Sequence, residues 1–540
     1  MRAPAGTTLA PIVETTTKRA RYLVNGTAPN KWVIAGTVMT GTIMAVLDSS
    51  IVNVALPDMS GSLGATIEQI TWVVTAYILA MVIIMPIIAL LSARFGRKRV
   101  YMISVAAFTL GSMACGIARS LTSIIVFRVI QGAGGGVLMT VSQAILRESF
   151  PTEEQGMAMG VYGMGVVLAP AFGPTLGGWL TDQYSWPWIF YINVPIGILN
   201  LALVQRFIYD PPYLVREKGV IDWTGLGLMA VGLGALQVML EEGARENWFE
   251  STYITVLAAM AAAGLVLFIW REVVTRHPAV DLRILQNGSF ASATAIGGVL
   301  GMGLYGALFL LPLFLQNLLG YTAFKSGLAL MPRSLAMAVC MPIAGRLYNR
   351  LGPRVMVGAG LLVSAYSFWQ LGALTTQESI WGIFMPQVWQ GVGFSLLFVA
   401  LSTAALATIP NAKMTAATGL YNVVRQVFGS VGIAIAATQL TTGTTRYRAV
   451  LLNHMSAVQD RMAHAFVQAT AARMHELGLS TQQAIERALE ILDLRVTAQA
   501  TVLSFNHVFR LVTILFAISI PLVLLLKSRK LEKGHTMMAE

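Results

Sequence analysis

The sequence has few charged residues, and this scarcity argues against a soluble protein. Only 11% of its 540 residues are charged and 56% are hydrophobic, whereas a soluble domain has about 25% charged residues. Apolar runs of about 18 residues or more recur along the chain, and an α-helix of that length crosses a hydrocarbon core of about 30 Å. The strands of a transmembrane β-barrel would be about half as long and would alternate in polarity. The composition therefore predicts a helical protein whose main solvent is lipid.

The sequence also lacks the residue patterns of several kinds of site. Cys115 and Cys340 are its only cysteines, and both lie inside apolar runs, where neither a disulfide framework nor a metal cluster is expected. No Gly-Lys dipeptide occurs, so a P-loop for ATP is excluded. The patterns H-E-x-x-H and G-x-S-x-G are missing too. We therefore expect no cofactor and no metal, and the lack of a nucleophile or metal cluster argues against a membrane enzyme.

The apolar runs predict fourteen transmembrane helices, with boundaries good to about four residues. The predicted spans are residues 32–56, 69–91, 99–118, 121–146, 156–180, 187–207, 223–240, 252–271, 290–317, 326–347, 355–374, 380–407, 414–440 and 506–527.

The positions of the basic residues predict the topology. Lys and Arg accumulate before the first span and in the connections that follow even-numbered spans, as at Lys18 and Arg97. The other connections carry acids such as Asp58 and Glu241. By the positive-inside rule both termini are cytoplasmic. The net charge of +12 is thus explained by topology and not by a nucleic-acid partner.

Two segments recur in register and predict two similar halves. Residues Ala89–Arg99 resemble Gly345–Arg354, and Arg128–Gly134 in the fourth span resemble Gln387–Gly393 in the twelfth. Two six-helix halves with two inserted helices follow from this repeat. The predicted organisation is a cytoplasmic tail (1–31), an N-terminal six-helix half (32–207), a linker with two inserted transmembrane helices (208–289), a C-terminal six-helix half (290–440 and 506–527), an extracytoplasmic helical loop (441–505) and a cytoplasmic tail (528–540).

The predicted external loop, residues 441–505, is polar but patterned. Ser480 to Gln483 is a capping-box pattern that opens a helix. Before it, apolar side chains recur at i+3 and i+4, which indicates an amphipathic helix. These side chains are Tyr447, Leu451, Met455, Val458, Met462 and Phe466. The helices either pack on each other or on the outer leaflet, or they form a docking surface for a periplasmic partner.

Four segments resemble signatures of a known transporter family: Leu47–Pro57, Ala169–Gly178, Trp186–Gly197 and Gln316–Tyr321. Over about residues 32–440 and 506–527 the chain resembles the major facilitator superfamily, specifically its 14-span drug:proton antiporters of the EmrB/QacA type. The resemblance implies a multi-pass protein of the bacterial inner membrane that exports small hydrophobic or amphipathic drugs, exchanges them for protons, binds membrane lipids and confers antibiotic resistance. A permease of an EmrAB-like pump would also bind a periplasmic membrane-fusion adaptor and an outer-membrane channel. The alternative is a dedicated exporter of one metabolite, such as a siderophore or peptide.

The loop after the second span departs from the family pattern. The family has an Asp where this chain has Ala93, and the second-half counterpart is Asn349. That Asp neutralises a helix end and steadies the outward-facing state, so the departure affects the gating contact. The residues of these two loops that the resemblance assigns to gating are Arg94, Gly96, Arg97, Arg350 and Gly352.

The fifth span carries the pattern that resembles the antiporter signature. Gly173 and Gly177 form a G-x-x-x-G face for close helix contact, followed by Gly178, while Pro170 and Pro174 bend the helix. Such a helix serves either as a rocking interface between the halves or in ordinary membrane packing.

Ionisable residues inside spans are costly, by about 2.5–3.5 kcal/mol each, and are therefore candidate functional sites. Asp48 lies eight residues before Leu56, about 12 Å from the outer end of its span, and Arg128 lies seven residues after Leu121, about 10.5 Å from the same side. Because the two depths match, we predict that Asp48 is the proton-linked carboxylate and Arg128 its partner. Changing water access to the Asp could then switch its proton on and off. The alternative is a permanent structural ion pair.

Polar and aromatic side chains of the spans that flank the repeat interface are predicted to line the substrate cavity. They are Asn53, Trp72, Tyr77, Gln131, Tyr191, Asn193, Phe309, Tyr421, Asn422 and Arg425.

Overall fold

The computed structural model describes residues 30–210, 221–275, 278–378, 380–457 and 461–526. Within these ranges the chain forms helices and short connections and no β-strand, so the predicted all-α class is confirmed. The predicted tails, apart from residues 30 and 31, and Val458 of the amphipathic pattern lie outside the described residues.

The α-helices have the following bounds in chain order. They are α1 (Lys31–Leu63), α2 (Ile67–Ile70), α3 (Trp72–Phe95), α4 (Arg97–Gly116), α5 (Leu121–Ser149), α6 (Gln155–Gln183), α7 (Trp188–Tyr191), α8 (Asn193–Phe207), α9 (Trp223–Glu242), α10 (Thr252–Val274), α11 (Gly288–Asn317), α12 (Ala323–Leu371), α13 (Ile380–Ala407), α14 (Met414–Ala457), α15 (Arg461–Glu476) and α16 (Thr481–Ile518).

Thirteen helical stretches of the described chain are long and apolar enough to cross a membrane. Three of them have 45 to 47 residues, about twice the usual length, and Lys325–Leu371 is one of these. It contains a break at Gly352, where φ is 74°, and it covers the two predicted spans 326–347 and 355–374. The stretch is therefore two membrane helices joined by a tight turn, and the fourteen predicted spans all have helical counterparts.

The repeat seen in the sequence has the same backbone conformation in both halves. Gly96 joins α3 to α4 with φ 88° and ψ 149°, and Gly352 divides α12 with φ 74° and ψ 169°. A side chain at either position would be strained, because positive φ with extended ψ is essentially restricted to glycine. Each half thus turns sharply at the equivalent connection, as the sequence repeat predicts.

The G-x-x-x-G face of α6 packs inside the first half. A Cβ at Gly173 would collide with the Ser50 side chain, and a Cβ at Gly177 would collide with Ile51, both on α1. These glycines therefore let α1 and α6 approach closely within one half. They do not form the contact between the halves.

Of the inserted pair α9 and α10, helix α9 packs against both halves, and Leu79 and Ile83 of α3 lie beside its Gly234. The two helices approach each other through Gly232 and Gly264, where a Cβ would meet the opposing backbone. From α9, Gln237 Nε2 donates to Ser430 Oγ of α14 at 2.7 Å. The connection to α10 is also docked, because Trp248 Nε1 donates to Thr438 Oγ1 at 2.7 Å.

The predicted external loop is continuous with the helices on either side of it. Helix α14 runs unbroken to Ala457, well past residue 440, and α16 begins at Thr481 and enters the last predicted span without a break. The chain has no proline between Pro410 and Pro521, so nothing forces either helix to end where the apolar run ends. The Ser480 capping box is present as predicted. Residue 440 therefore marks the end of the apolar surface and not the end of a helix.

Candidate functional site

Asp48 of α1 and Arg128 of α5 form an ion pair in which both side chains are fully buried. The carboxylate has two further donors: its Oδ1 accepts from Gln131 Nε2 at 2.7 Å and from Asn193 Nδ2 at 2.9 Å. Asn193 in turn donates to Ser112 Oγ at 3.1 Å. Side chains from α5 and α8 thus bind the carboxylate of α1 directly, and Ser112 of α4 is linked to it through Asn193.

The Arg128 guanidinium is held on several sides. Its Nε donates to the Val73 carbonyl oxygen at 2.9 Å, and its Nη1 donates to Gln131 Oε1 at 2.9 Å. The group lies 4.1 Å from the centre of the Tyr77 ring, a distance at which the ring face attracts a cation. The Tyr77 hydroxyl donates to the Ala45 carbonyl oxygen at 2.9 Å. Three predicted cavity residues, Tyr77, Gln131 and Asn193, therefore belong to the buried surroundings of this ion pair.

A second buried polar cluster lies where the halves meet. Asn422 Nδ2 of α14 donates to Gln143 Oε1 of α5 at 2.9 Å. One helical turn further along α14, the Arg425 guanidinium lies 5.3 Å from the centre of the Phe398 ring and 6.0 Å from that of Tyr421. The structure thus brings together the predicted residues Tyr421, Asn422 and Arg425.

Four predicted cavity residues lie apart from both clusters. Asn53 is exposed, and its Nδ2 donates to the Ser49 carbonyl oxygen of its own helix at 3.5 Å. Trp72, Tyr191 and Phe309 are half-buried. Tyr191 packs over Gly116, and Phe309 packs against the main hydrophobic core.

In the first-half loop that is predicted to act in gating, a carboxylate from another connection lies at the start of α4. Asp210 Oδ1 accepts from the Lys98 backbone N–H at 2.8 Å, in the first turn of α4, where a negative charge is stabilised by the helix dipole. Arg97 is buried and paired with Glu148, and its Nη2 donates to the Asn411 carbonyl oxygen at 3.4 Å. Arg97 therefore joins the first half to the connection before α14.

The second-half gating loop also contacts the other half. Asn349, at the position of the family's Asp, donates from Nδ2 to the Glu153 carbonyl oxygen. Gly156 of α6 and Gly345 of α12 lie so close that a Cβ on either would collide with the backbone of the other. Of the remaining gating residues, Arg94 and Arg350 are exposed. The two halves are therefore in close contact at the end of the bundle that carries both gating loops.

Residues 38–433 match the model of the Major Facilitator Superfamily. The chain belongs to this superfamily. It is 35% identical to the fatty acid resistance protein FarB of Neisseria gonorrhoeae, over 90% of this chain and 94% of that protein. It is 33% identical to the multidrug export protein EmrB of Escherichia coli (strain K12), over 89% and 92% of the two chains. It therefore falls in the EmrB-type group of the superfamily.

The fold agrees with solved structures of the same superfamily. The human organic anion transporter MFSD10 aligns with a TM-score of 0.57 at 13% identity, over 90% of this chain and all of that one. At this identity the likeness shows the fold alone. The predicted major facilitator fold is confirmed.

Four residues that complete these contacts were not predicted from the sequence. Gln143, a buried amide twelve residues after Gln131, could have been found as a polar residue inside a span. Ser112, Glu148 and Asp210 carried no signal of their own. Serines are common in membrane helices, and the two acids lie in or beside connections, where acids are ordinary.

Proposed function

We propose that this chain is a proton-coupled multidrug exporter of the bacterial inner membrane that works by alternating access between two six-helix halves. Membership of the EmrB-type group supports drug export, because relatives with this overall length and fold are named multidrug export proteins. The observation that carries the proton coupling is the fully buried ion pair between Asp48 and Arg128.

The geometry of the pair supports a switch that needs a conformational change. In the described conformation the Asp48 carboxylate has three donors and is fully buried, so water cannot deliver a proton to it. A conformation that admits water to Asp48 would allow protonation. Protonation would remove the charge that holds Arg128 and so weaken the contacts between α1 and α5. Proton binding and helix rearrangement are thereby linked.

The contacts between the halves support an outward-open assignment for this conformation. The halves touch at the end that carries Arg97, Asn349 and the Gly156–Gly345 approach. The positive-inside rule places this basic end, with both termini, on the cytoplasmic side. The cytoplasmic end is then closed, as alternating access requires of an outward-open state.

The decisive variant is Asp48→Asn, which removes the titratable group and nearly preserves its shape. We expect proteoliposomes with this variant to lose drug uptake driven by a pH gradient while drug binding persists. Asp58→Asn is the matched control, because Asp58 lies on the same helix and is exposed. Normal proton-driven transport by Asp48→Asn would contradict the assignment.

A second proposal concerns the partner of the external helices. We infer that a periplasmic membrane-fusion adaptor binds the predicted external loop. We call this segment the hairpin; it consists of the end of α14, all of α15 and the start of α16. The hairpin is a folded unit, since Arg448 pairs with Asp493 at 2.6 Å and Arg495 lies 4.5 Å from the centre of the Phe466 ring. It exposes several large apolar side chains, including Ile485, Leu489 and Leu494, and grouped apolar surface of this kind marks interaction sites.

Site-specific photo-crosslinking in cells that make the adaptor tests this proposal. A photoreactive amino acid at Leu489 or Leu494 should form an adduct with the adaptor. The same residue at Trp270, exposed on the inserted helix α10, should not. Equal yields at these positions, or none at the hairpin, would contradict adaptor docking there.

A further inference from the structure

Helix α9 of the inserted pair carries a chain of hydrogen bonds that joins the two halves. Gln237 Nε2 donates to Glu241 Oε1 on the same helix at 2.7 Å and to Ser430 Oγ of α14 at 2.7 Å. The Thr75 hydroxyl of α3 also donates to the Glu241 carboxylate. The chain of bonds therefore runs from the first half, through one carboxylate and one amide of α9, to the second half.

Glu241 has no cation to balance its charge. Among the described residues no Lys, Arg or His forms an ion pair with it, whereas the neighbouring Glu242 pairs with Arg245. Its donors Thr75 and Gln237 are neutral, and they are only 5% and 1% exposed. The other titratable groups near Glu241 or Arg245 are Glu68, Glu242, Glu246 and Tyr253. A carboxylate that is held only by neutral, buried groups is costly to keep charged, and a proton removes that cost.

The position of Glu241 makes it accessible to protons from one side. It is the last residue but one of α9 and is half-buried, whereas Asp48 is fully buried. The positive-inside rule places this end of α9 on the external side. In the described conformation an external proton can therefore reach Glu241, while Asp48 is closed to water.

The Gln237 amide can bind either form of the Glu241 carboxyl. Its Nε2 donates to the charged form, and its Oε1 is buried without a hydrogen-bond partner in the described part of the chain. Rotation of the amide by half a turn exchanges these two atoms, so that Oε1 accepts from a protonated Glu241. The Ser430 hydroxyl can donate as well as accept, so it stays bonded in both arrangements. The site thus accommodates a proton without leaving the carboxyl unpaired.

We propose that Glu241 is a second proton-binding site of the exporter, loaded from the external side, and that its proton weakens the contact of α9 with the first half. The bond from Thr75 to a charged carboxylate is charge-assisted, and such bonds are roughly twice as strong as neutral ones. Protonation weakens this bond, whereas the link from Gln237 to Ser430 of α14 persists, so the inserted pair then follows the second half. This inference rests on the proposed proton-coupled export and adds a proton site to it.

Infrared difference spectroscopy tests proton binding without a drug and without a pH gradient. The full chain in lipid nanodiscs is titrated from about pH 8 to about pH 5, and the C=O stretching band of protonated carboxyls is followed. We expect one component of this band to be lost in Glu241→Gln and kept in Asp48→Asn. The matched control is Glu242→Gln, which removes the adjacent, ion-paired carboxylate and should keep that component. A spectrum of Glu241→Gln identical to that of the wild-type chain overturns the proposal.

Hydrogen–deuterium exchange at about pH 8 tests the weakened contact between α9 and α3. Glu241→Gln carries no charge at this position and so resembles the protonated form. Its peptides from the end of α9 and the start of α3 should exchange roughly fivefold faster than those of the wild-type chain, because the charge-assisted part of the bond is lost. Thr75→Val, which removes the donor, should show the same increase, and Glu242→Gln should not. Unchanged exchange in Glu241→Gln overturns the effect of the proton on this contact.

A measurement on the wild-type chain covers the case in which Glu241→Gln fails to fold. A hydrophobic carbodiimide modifies protonated carboxyls in apolar surroundings, and mass spectrometry locates the product. Glu241 should be modified more extensively at about pH 5 than at about pH 8, and the ion-paired Glu242 should not. Equal modification of the two residues, or none at Glu241, overturns the proposal. Because these measurements use neither drug nor gradient, the two proposals fail separately. Proton binding at Glu241 in a chain without proton-driven export would refute the export function and leave this proton site standing.

Discussion

Replacing Asp48 by Asn and Arg128 by Gln, singly and together, would separate the structural role of the buried ion pair from its role in proton coupling. Both side chains are fully buried. Removing one partner of such a pair leaves an uncompensated charge, at a cost of about 3–5 kcal/mol. Each single variant should therefore lose roughly two to four powers of ten in its folding equilibrium constant.

The double variant should recover most of that loss, because no buried charge remains. The measurement is unfolding of the purified variants by SDS titration in mixed micelles, followed by tryptophan fluorescence, with Asp58→Asn as the exposed control. Drug transport by the double variant should stay uncoupled from protons although its stability returns. If the two single losses simply add in the double variant, the charges do not depend on each other and the reasoning is wrong. Proton-driven transport by the double variant would refute the coupling role.

Three further outcomes are expected. Gly156→Val should prevent the two halves from closing at the end that carries the gating loops, because the valine side chain would meet the Gly345 backbone. Transport by this variant should fall at least tenfold. The control Gly36→Ala, at a position with open space around it, should transport normally. Trp248→Phe removes the hydrogen bond to Thr438 and should cost about 1 kcal/mol of stability, seen as a lower midpoint in SDS titration; an unchanged midpoint would show that this bond does not hold the inserted pair. Leu494→Cys should react with a membrane-impermeant thiol reagent on cells with a permeabilised outer membrane, and labelling only after lysis would contradict the external position of the hairpin.

The amino-acid sequence was sufficient for the membrane architecture and for one side-chain contact inside it. In lipid the backbone bonds of a span must be satisfied internally, by a helix or a closed barrel, and apolar runs of about 18 residues or more select the helix. The same constraint fixes depth at about 1.5 Å per residue, which is why counting residues was enough to pair Asp48 with Arg128. The sharp turns at Gly96 and Gly352 could also be predicted from the sequence, because the backbone conformation of these turns is strained for other residue types.

The side-chain contacts between the two halves could not be predicted by counting residues. Whether Gln143 meets Asn422, or Asn349 meets the Glu153 carbonyl, depends on how the two halves are rotated and shifted against each other. Residue counts along single helices do not contain that information. Similarly, the sequence shows that Ala93 cannot supply the usual carboxylate, but only packing reveals that Asp210 places one at the start of α4.

The predicted external hairpin and Arg425 differ in the same way between what the sequence shows and what the structure shows. Hydropathy predicts where the chain passes from lipid to water. The hydrogen bonds within a helix persist in both solvents, so the helix need not end there. For this reason α14 passes residue 440 unbroken. From the sequence alone, Arg425 is visible only as an arginine inside a predicted span. Only the tertiary structure decided that its Nη1 is buried and has no hydrogen-bond partner among the described residues, because a charge is compensated or left uncompensated by neighbours that are distant in the chain.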